Sequence, residues 1–172
     1  MSLLMVLLAT QIALGAIDTL WHHELVERLP SRRAARTESA LHAVRELCYA
    51  ALFFALAWRT WHGAWVALIV TLLALEVAIT LADFVIEDRT RRLPPTERIL
   101  HTVLAINFGA LLAVFAPTLI AWARLPAAIA PADYGVASWL LTTAGLGVLA
   151  FGVRNGLAAR RHFAAPAWER RC

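Results

Sequence analysis

Two similar segments contain the residues of this chain that are best suited to bind metal ions. The segments at 37–42 and 96–101 read TESALH and TERILH. In both, a glutamate is followed four positions later by a histidine, so the two side chains share one face of a helix. Carboxylate and imidazole ligands together suit Fe, Mn or Zn. The first candidate ligands are therefore Glu38, His42, Glu97 and His101.

Further polar residues precede each of these segments, on what we expect to be a neighbouring helix. Asp18 and His22 precede the first segment, and Asp83 and Glu87 precede the second. The two aspartates are 65 positions apart and the two segments are 59 positions apart. The second copy has thus lost six residues from its connecting loop. Self-similarity of this kind indicates an internal repeat.

These eight residues predict a site for two divalent metal ions. Each isolated carboxylate inside a bilayer costs ~2.5–3.5 kcal/mol on insertion scales, and a bound cation cancels its charge. Iron is the preferred metal, with zinc or manganese as alternatives. We expect one ion to be bound by Asp18, Glu38 and His42, with His22 nearby, and the other by Asp83, Glu87, Glu97 and His101.

Three glutamates and one histidine have further or alternative roles in this arrangement. Glu38 and Glu97 are the expected bridging ligands between the two ions. His23 is interpreted as an interfacial residue at the membrane surface. Either His23 or Glu46 could replace one of the eight ligands.

The composition indicates an integral membrane protein. Hydrophobic residues make up 60% of the chain and charged residues only 16%, below the ~25% of typical soluble domains. Long apolar runs rich in Ala and Leu favour helices over strands. We expect an all-α domain over 1–172 with five transmembrane helices, at about 2–24, 38–58, 63–87, 97–123 and 134–154.

Four of these helices are expected to form a bundle around the metal site. The bundle consists of two tandem helical-hairpin repeats, over 2–60 and 63–123, and the fifth helix packs against it. Thr37 and Thr96 are the expected N-caps of the second and fourth helices. An Arg-rich tail over 155–172 completes the chain.

The arginines predict the orientation in the membrane. All sixteen basic residues are arginine, and thirteen lie in the 1–2 loop, the 3–4 connection and the tail, against two on the opposite side. Because positive residues concentrate in cytoplasmic loops, we expect the metal site and the C-terminus at the cytoplasmic face of a bacterial inner membrane, with the N-terminus outside. An aromatic belt at the outer interface would then comprise Trp58, Trp61, Trp65, Trp122 and Trp139.

A second polar layer is expected deeper in the bundle. Gln11 and Glu76 correspond under the 65-residue offset, and each lies two helical turns before its repeat aspartate. Such residues either hydrogen-bond helices to one another or orient the ligands and contact a substrate. Arg45 is a candidate anion contact, or a partner of Glu46 or Glu76. The layer comprises Gln11, Arg45, Glu46, Glu76, Thr80 and Asn107.

The fifth helix has no counterpart in the repeat and no side chain of a type that binds metal. Small residues in the fifth helix suit close packing within the chain or in a homodimer. The tail, with Phe163 and Trp168, is expected to bind anionic lipid. Cytoplasmic arginines explain the net charge of +4, so nucleic-acid binding is not expected. Cys48 and Cys172 do not suggest a disulfide framework.

In ligand chemistry, the pattern resembles that of carboxylate-bridged di-iron four-helix proteins. In those proteins, Glu and Glu-x-x-His residues from facing helices bind two metal ions. Here the spacing is Glu-x-x-x-His and the helices span a membrane. The resemblance implies an oxidoreductase that uses O2 and an electron donor to oxidise an apolar or lipid-like substrate at the cytoplasmic interface.

Two other functions fit the same residues. A di-zinc or di-manganese hydrolase would act on a lipid or a phosphorylated headgroup, with arginines binding the phosphate. A divalent-cation transporter or a metal-binding protein is the other alternative. Transport sites usually lie near the bilayer midplane on discontinuous helices, whereas these ligands are expected near one end of the bundle.

Overall fold

A computed structural model describes residues 3–90 and 92–164 of the chain, and these residues are mostly helical. The five long helices are α1 (Leu3–Ile17), α2 (Arg36–Ala57), α3 (Val66–Thr90), α4 (Pro95–Ala123) and α5 (Val136–Ala164). With their helical extensions, five segments are long and apolar enough to cross a membrane. The predicted number of transmembrane helices is therefore matched, and α5 extends ten residues beyond its predicted end.

The first of these segments changes from an α-helix to a π-helix at Asp18, the first of the candidate ligands. After α1 the chain continues as a π-helix over Asp18–Val26. Its hydrogen bonds join residues five apart, as in the contact from the Glu27 N–H to the His22 carbonyl at 2.7 Å. π-helices are rare, and the single-turn π-bulges in which they mostly occur are frequently found at functional sites.

The two helices that carry the repeated segments begin earlier than the sequence predicted. The N-cap of α2 is Ala35 and that of α4 is Pro94, and neither makes a side-chain capping bond. Thr37 and Thr96 lie inside the first turn of their helices, so the prediction that they are N-caps was wrong. Proline fits the start of α4 because the first N–H groups of a helix have no partner within it.

A short β-ribbon at one end of the molecule was not predicted. Strand β1 (Arg59–His62) follows α2, and β2 (Ala128–Pro131) follows α4. The strands pair antiparallel, with Arg59 opposite Pro131. The ribbon thus joins the α2–α3 connection to the α4–α5 connection.

Tryptophans surround the ribbon end of the molecule. The rings of Trp58 and Trp139 pack edge to face with their centroids 5.3 Å apart, and those of Trp61 and Trp65 lie 6.4 Å apart. The Trp122 ring contacts His62 in β1. The five tryptophans predicted to form a belt therefore lie at one end, opposite the ends of the helices that carry the candidate ligands.

The helices pack in two groups. α2 packs most extensively on α5 and also on α3, whereas α1 packs mainly on α4. Gly145 and Gly152 of α5 lie against side chains of α2, so part of the small-residue surface of the fifth helix is used within the chain. Apolar side chains of α2, α3 and α4, such as Leu52, Ile69 and Phe115, form a core near the ribbon.

Several sequence-based predictions concern residues outside the described ranges. These are Ser2 at the start of the first helix, Arg91 in the 3–4 connection, and Trp168, Arg170, Arg171 and Cys172 in the tail.

Replacing Gly63 by alanine is expected to destabilise the ribbon end. Gly63 has φ +57°, and an added Cβ would lie 2.7 Å from the Ala127 Cα. The left-handed conformation alone costs an L-residue ~1–2 kcal/mol, and the close approach adds to it. Thermal unfolding of the detergent-solubilised protein would measure the loss as a lower Tm.

Gly109→Ala is the matched control for this substitution. Gly109 lies in α4, and a Cβ there would have no neighbour within 4 Å. Alanine in a helix is favoured over glycine by roughly 0.5–1 kcal/mol, so the Tm should stay or rise. Equal melting temperatures for the two variants would contradict the backbone constraint at Gly63.

Candidate metal centre

All eight predicted ligands are buried at the helix ends opposite the ribbon. Their exposed fractions range from 0% to 7%. They lie at the C-terminal ends of the first and third transmembrane segments and in the first turns of α2 and α4. The buried residues are Asp18, His22, Glu38, His42, Asp83, Glu87, Glu97 and His101, together with His23.

One group of candidate ligands comes from the π-helix and α4, and we call it the α1–α4 group: Asp18, His23, Glu97 and His101. One ligand atom from each of the four lies within 4.8 Å of the others. Asp18 Oδ2 is 3.1 Å from His101 Nε2 and 3.4 Å from His23 Nε2. His23 Nε2 is also 3.7 Å from Glu97 Oε1.

These separations match the spacing of ligands around a single metal ion. Ligand atoms about 2.1 Å from an ion are about 3.4 Å apart in a tetrahedron and about 3.0 Å apart at right angles. Two of the ring nitrogens, His23 Nε2 and His101 Nδ1, are buried without a hydrogen-bond partner among the described residues. The α1–α4 group therefore offers two carboxylates and two imidazoles in a geometry that fits a divalent cation.

A second group, the α2–α3 group, consists of Glu38, His42 and Glu87. One ligand atom from each again lies within 4.8 Å of the others. His42 Nε2 lies 2.9 Å from Asp83 Oδ2. A metal-binding histidine usually donates its other ring N–H to a carboxylate, so this contact would orient the His42 ring with Nδ1 free to bind an ion.

The two groups adjoin each other. His23 of the α1–α4 group stacks on His42 of the α2–α3 group, with ring centroids 4.4 Å apart. His101 Nδ1 lies 3.4 Å from Glu87 Oε2. The two groups therefore form one continuous layer of carboxylates and imidazoles. Its residues come from the π-helix, α2, α3 and α4.

The grouping differs from the one inferred from the sequence. Asp18 lies with Glu97 and His101 of α4, not with the residues of α2. Glu87 lies with the residues of α2, whereas Asp83 contacts His42 and Arg45 from just outside the group. Glu38 and Glu97, expected to bridge, belong to different groups.

The π-helix explains why His23 joins the site. In an α-helix, residues four apart share a face, which favoured His22 as the partner of Asp18. Hydrogen bonds between residues five apart widen each turn, so both histidines lie on the Asp18 side. The interpretation of His23 as interfacial was wrong, since only 5% of it is exposed. No motif in the sequence indicates a π-helix here.

His22 is in contact with the group but outside it. Its Nδ1 lies 3.0 Å from Asp18 Oδ1 and its Nε2 lies 3.3 Å from Thr96 Oγ1. Both ring nitrogens thus have partners, and His22 is suited to hold Asp18 in place rather than to bind the ion itself.

The deeper polar layer is built largely from hydrogen bonds between helices. The Asn107 amide donates to Gln11 Oε1 at 2.7 Å, which links α4 to α1. The Asn155 amide of α5 donates to Glu46 at 2.8 Å, and Thr80 donates to Glu76 within α3 at 3.3 Å. These are the interhelical and local contacts that polar residues in membrane helices commonly make.

Arg45 pairs with the carboxylate of Asp83, which the sequence did not indicate as its partner. Its Nη1 donates to Asp83 Oδ2 at 3.0 Å, in place of the expected Glu46 or Glu76. The same Asp83 oxygen accepts from His42. Arg45 is therefore tied to the metal layer through Asp83.

A largely apolar cavity of about 260 Å³ opens onto the α1–α4 group. Asp18 and His101 form part of its wall, and Arg45 and Glu76 are among its few other charged residues. Most of the remaining lining is aromatic or aliphatic and comes from all of α1 to α5, for example Ile12, Phe53, Phe84, Leu104, Phe108 and Phe151. Such a cavity would place an apolar molecule directly beside the candidate ligands.

A comparison with protein-family models, curated proteins and solved structures found no match for this chain.

Asp83→Asn is expected to weaken metal binding without abolishing it. The substitution removes the carboxylate that accepts from His42 and Arg45, and loss of such a partner typically costs 10–100-fold in metal affinity. Competition with a chromophoric chelator would measure the change. Asp88→Asn is the control, since Asp88 is exposed on the same helix, and equal affinities for the two variants would contradict the role of Asp83.

His23→Ala and His22→Ala are expected to differ. The first removes a side chain of the α1–α4 group and should lower the metal content of the purified protein. The second removes only the support of Asp18 and should leave the metal content unchanged while weakening affinity. Metal analysis of both variants after dialysis measures this, and a greater loss in His22→Ala would reverse the assignment.

Proposed function

We propose that this protein is a membrane-embedded oxidoreductase that binds two iron ions and oxidises an apolar, lipid-like substrate with O2. The observation that carries the proposal is the apolar cavity whose wall includes Asp18 and His101 of the α1–α4 group. Two of the buried candidate ligands thus form part of the wall of an apolar cavity. Zinc or manganese would fit the same donors, so the preference for iron comes from the oxidative chemistry proposed.

The burial of the carboxylates supports bound cations. Asp18, Glu38, Asp83, Glu87 and Glu97 are each at most 4% exposed and lie in one layer. Carboxylates buried so close together must be paired with cationic side chains, take up protons or coordinate a metal, and a divalent ion neutralises several of them at once. Histidines from three of the transmembrane segments supply the imidazoles that iron, manganese and zinc accept.

The arrangement also supports two ions related by an internal repeat. His101 Nε2 contacts Asp18 Oδ2 at 3.1 Å, and His42 Nε2 contacts Asp83 Oδ2 at 2.9 Å. These two contacts correspond under the sequence offsets of 65 and 59 positions. A duplicated hairpin forming a four-helix bundle would account for both contacts, with each ion bound by residues from both repeats.

The proposed location is the cytoplasmic side of a bacterial inner membrane. The candidate ligands lie at the ends of the helices that the Arg-rich connections join, and the tryptophans lie at the other end. Positive loops face the cytoplasm, so an electron carrier on that side could reach the centre. The N-terminus would then lie outside.

Iron bound by these groups would supply the redox chemistry that activates O2. The proposed reaction inserts one oxygen atom into a C–H bond of the substrate to give an alcohol. The other atom leaves as water, with two protons and two electrons from a separate electron carrier. The side chains of the protein bind the substrate, exclude bulk water and conduct protons.

The route for protons is indicated by His22. Its Nδ1 contacts Asp18 Oδ1, and its Nε2 contacts the hydroxyl of Thr96, which is exposed. A proton taken up at Thr96 could pass through the imidazole to Asp18.

Metal analysis of the purified protein tests the proposal. We expect about two iron ions per chain, with Mössbauer spectra typical of a carboxylate-bridged pair, and consumption of O2 when a reductant and a lipid substrate are present. Two tightly bound zinc ions would favour a hydrolase. Weak, exchangeable metal together with uptake into vesicles would favour a transporter.

Single substitutions test the proposed ligands. Glu38→Ala and Glu97→Ala each remove a buried carboxylate and should lower the metal content, whereas Glu24→Ala should retain it. Glu24 pairs with Arg154 outside both groups. Elemental analysis and folding by circular dichroism should be measured on the same samples. Equal metal content in all three variants would remove both glutamates from the ligand set.

A further inference from the structure

A second cavity continues the first towards the tryptophan end of the molecule. Its volume is about 150 Å³, and its lining includes Leu4, Leu73, Phe115 and Trp122. Apart from Gln11, Tyr49, Thr118 and Tyr134, its wall is formed by apolar residues. We call the cavity beside the α1–α4 group the inner cavity and this one the outer cavity.

Four residues line both cavities, so the two cavities adjoin, and we call this shared lining the neck. These are Gln11, Tyr49, Phe53 and Phe108. Two of the four can hydrogen-bond, and Gln11 is already held by Asn107. The other three shared side chains, Tyr49, Phe53 and Phe108, are aromatic, so a molecule that occupies both cavities has to pass between large rings, which favours an unbranched chain.

The two cavities together extend for most of the thickness of a membrane. Along α4 their lining runs from His101 in the metal layer to Trp122 near the ribbon. At 1.5 Å per residue this is a rise of about 32 Å, close to the ~30 Å hydrocarbon core of a bilayer. A compact ligand would fill only part of this length, whereas an extended hydrocarbon chain could follow it.

Sparse packing between α1 and α5 points to an opening of the inner cavity towards the membrane. These two helices make few direct contacts, and half of their eight residues that line the cavity are glycine or alanine. Gly15 of α1 and Gly147 of α5 are in this lining, and a Cβ at either would meet nothing within 4 Å. By contrast, Gly145 and Gly152 of α5 are packed against α2.

We infer that the substrate is a long, unbranched acyl chain that enters from the bilayer between α1 and α5. The chain would thread the neck, with its far end in the outer cavity and a carbon nearer its polar end beside Asp18 and His101. This inference names the substrate class of the proposed oxidoreductase and rests on that proposal. The same chemistry could come from a free fatty acid or from the acyl chain of a phospholipid.

Photolabelling tests where the chain binds. Hexadecanoic acid with a diazirine at its last carbon should label outer-cavity residues such as Trp122 or Tyr134. Octanoic acid with the same group should label inner-cavity residues such as Phe84 or Phe151 instead. A phosphatidylcholine that carries the labelled hexadecanoyl chain forms a parallel arm. Labelling of the outer cavity by one probe and not the other identifies the source of the chain.

Gly147→Trp and Gly109→Trp provide the matched pair of variants. Both glycines are exposed and have open space around them, but only Gly147 lines the inner cavity. Gly147→Trp should reduce labelling in both cavities at least tenfold, and Gly109→Trp should leave it unchanged. Labelling spread over the lipid-facing surface, or equal labelling of the two variants, would overturn the inference.

The experiment separates this inference from the proposed function. It is performed on chelator-treated and on metal-loaded protein, and the labelling pattern is expected in both. Correct labelling in a protein that binds no iron would refute the oxidoreductase and leave the acyl-chain site in place. Two iron ions with no labelling of either cavity would support the metal centre and refute the acyl chain.

Discussion

The free-energy cost of burying carboxylates constrains how the helices meet around the candidate metal centre. Five carboxyl groups lie in one layer near the ends of transmembrane helices, each almost without exposure, where water cannot solvate them. The π-helix, α2 and α4 supply the compensating imidazole and guanidinium groups, whereas α3 supplies carboxylates. His22 supports Asp18, and Arg45 and His42 hold Asp83. Remaining charge is what bound metal would neutralise, so binding and stability would be coupled in this protein.

Much of this layer could be predicted from the sequence, because spacing is informative where helices are regular. The i, i+4 pairs on α2 and α3 lie on buried faces as expected. The number of transmembrane helices followed from long apolar runs alone. The same reasoning identified all eight residues as one layer, since helix ends on one side of a membrane lie at similar depths.

The sequence was less informative where the backbone departs from α-helical geometry, and about which helices pack against each other. A π-helix shifts His23 into the site, and only backbone coordinates reveal that shift. The pairing of α1 with α4, rather than with α2, depends on packing along the entire helix. The ribbon arises from two short segments that show no strand-like alternation, and each is too short for periodicity to detect.

The ribbon links four of the five long helices and leaves α1 to be held in another way. Its strands tie together the ribbon-side ends of α2, α3, α4 and α5. Throughout Leu3–Ile17 none of the residues of α1 is fully buried. α1 is therefore held mainly by its packing on α4 and by the bonds from the Asn107 amide to Gln11 Oε1 and to the Leu7 carbonyl. A polar side chain of α4 thus does for α1 what the ribbon does for the other four helices.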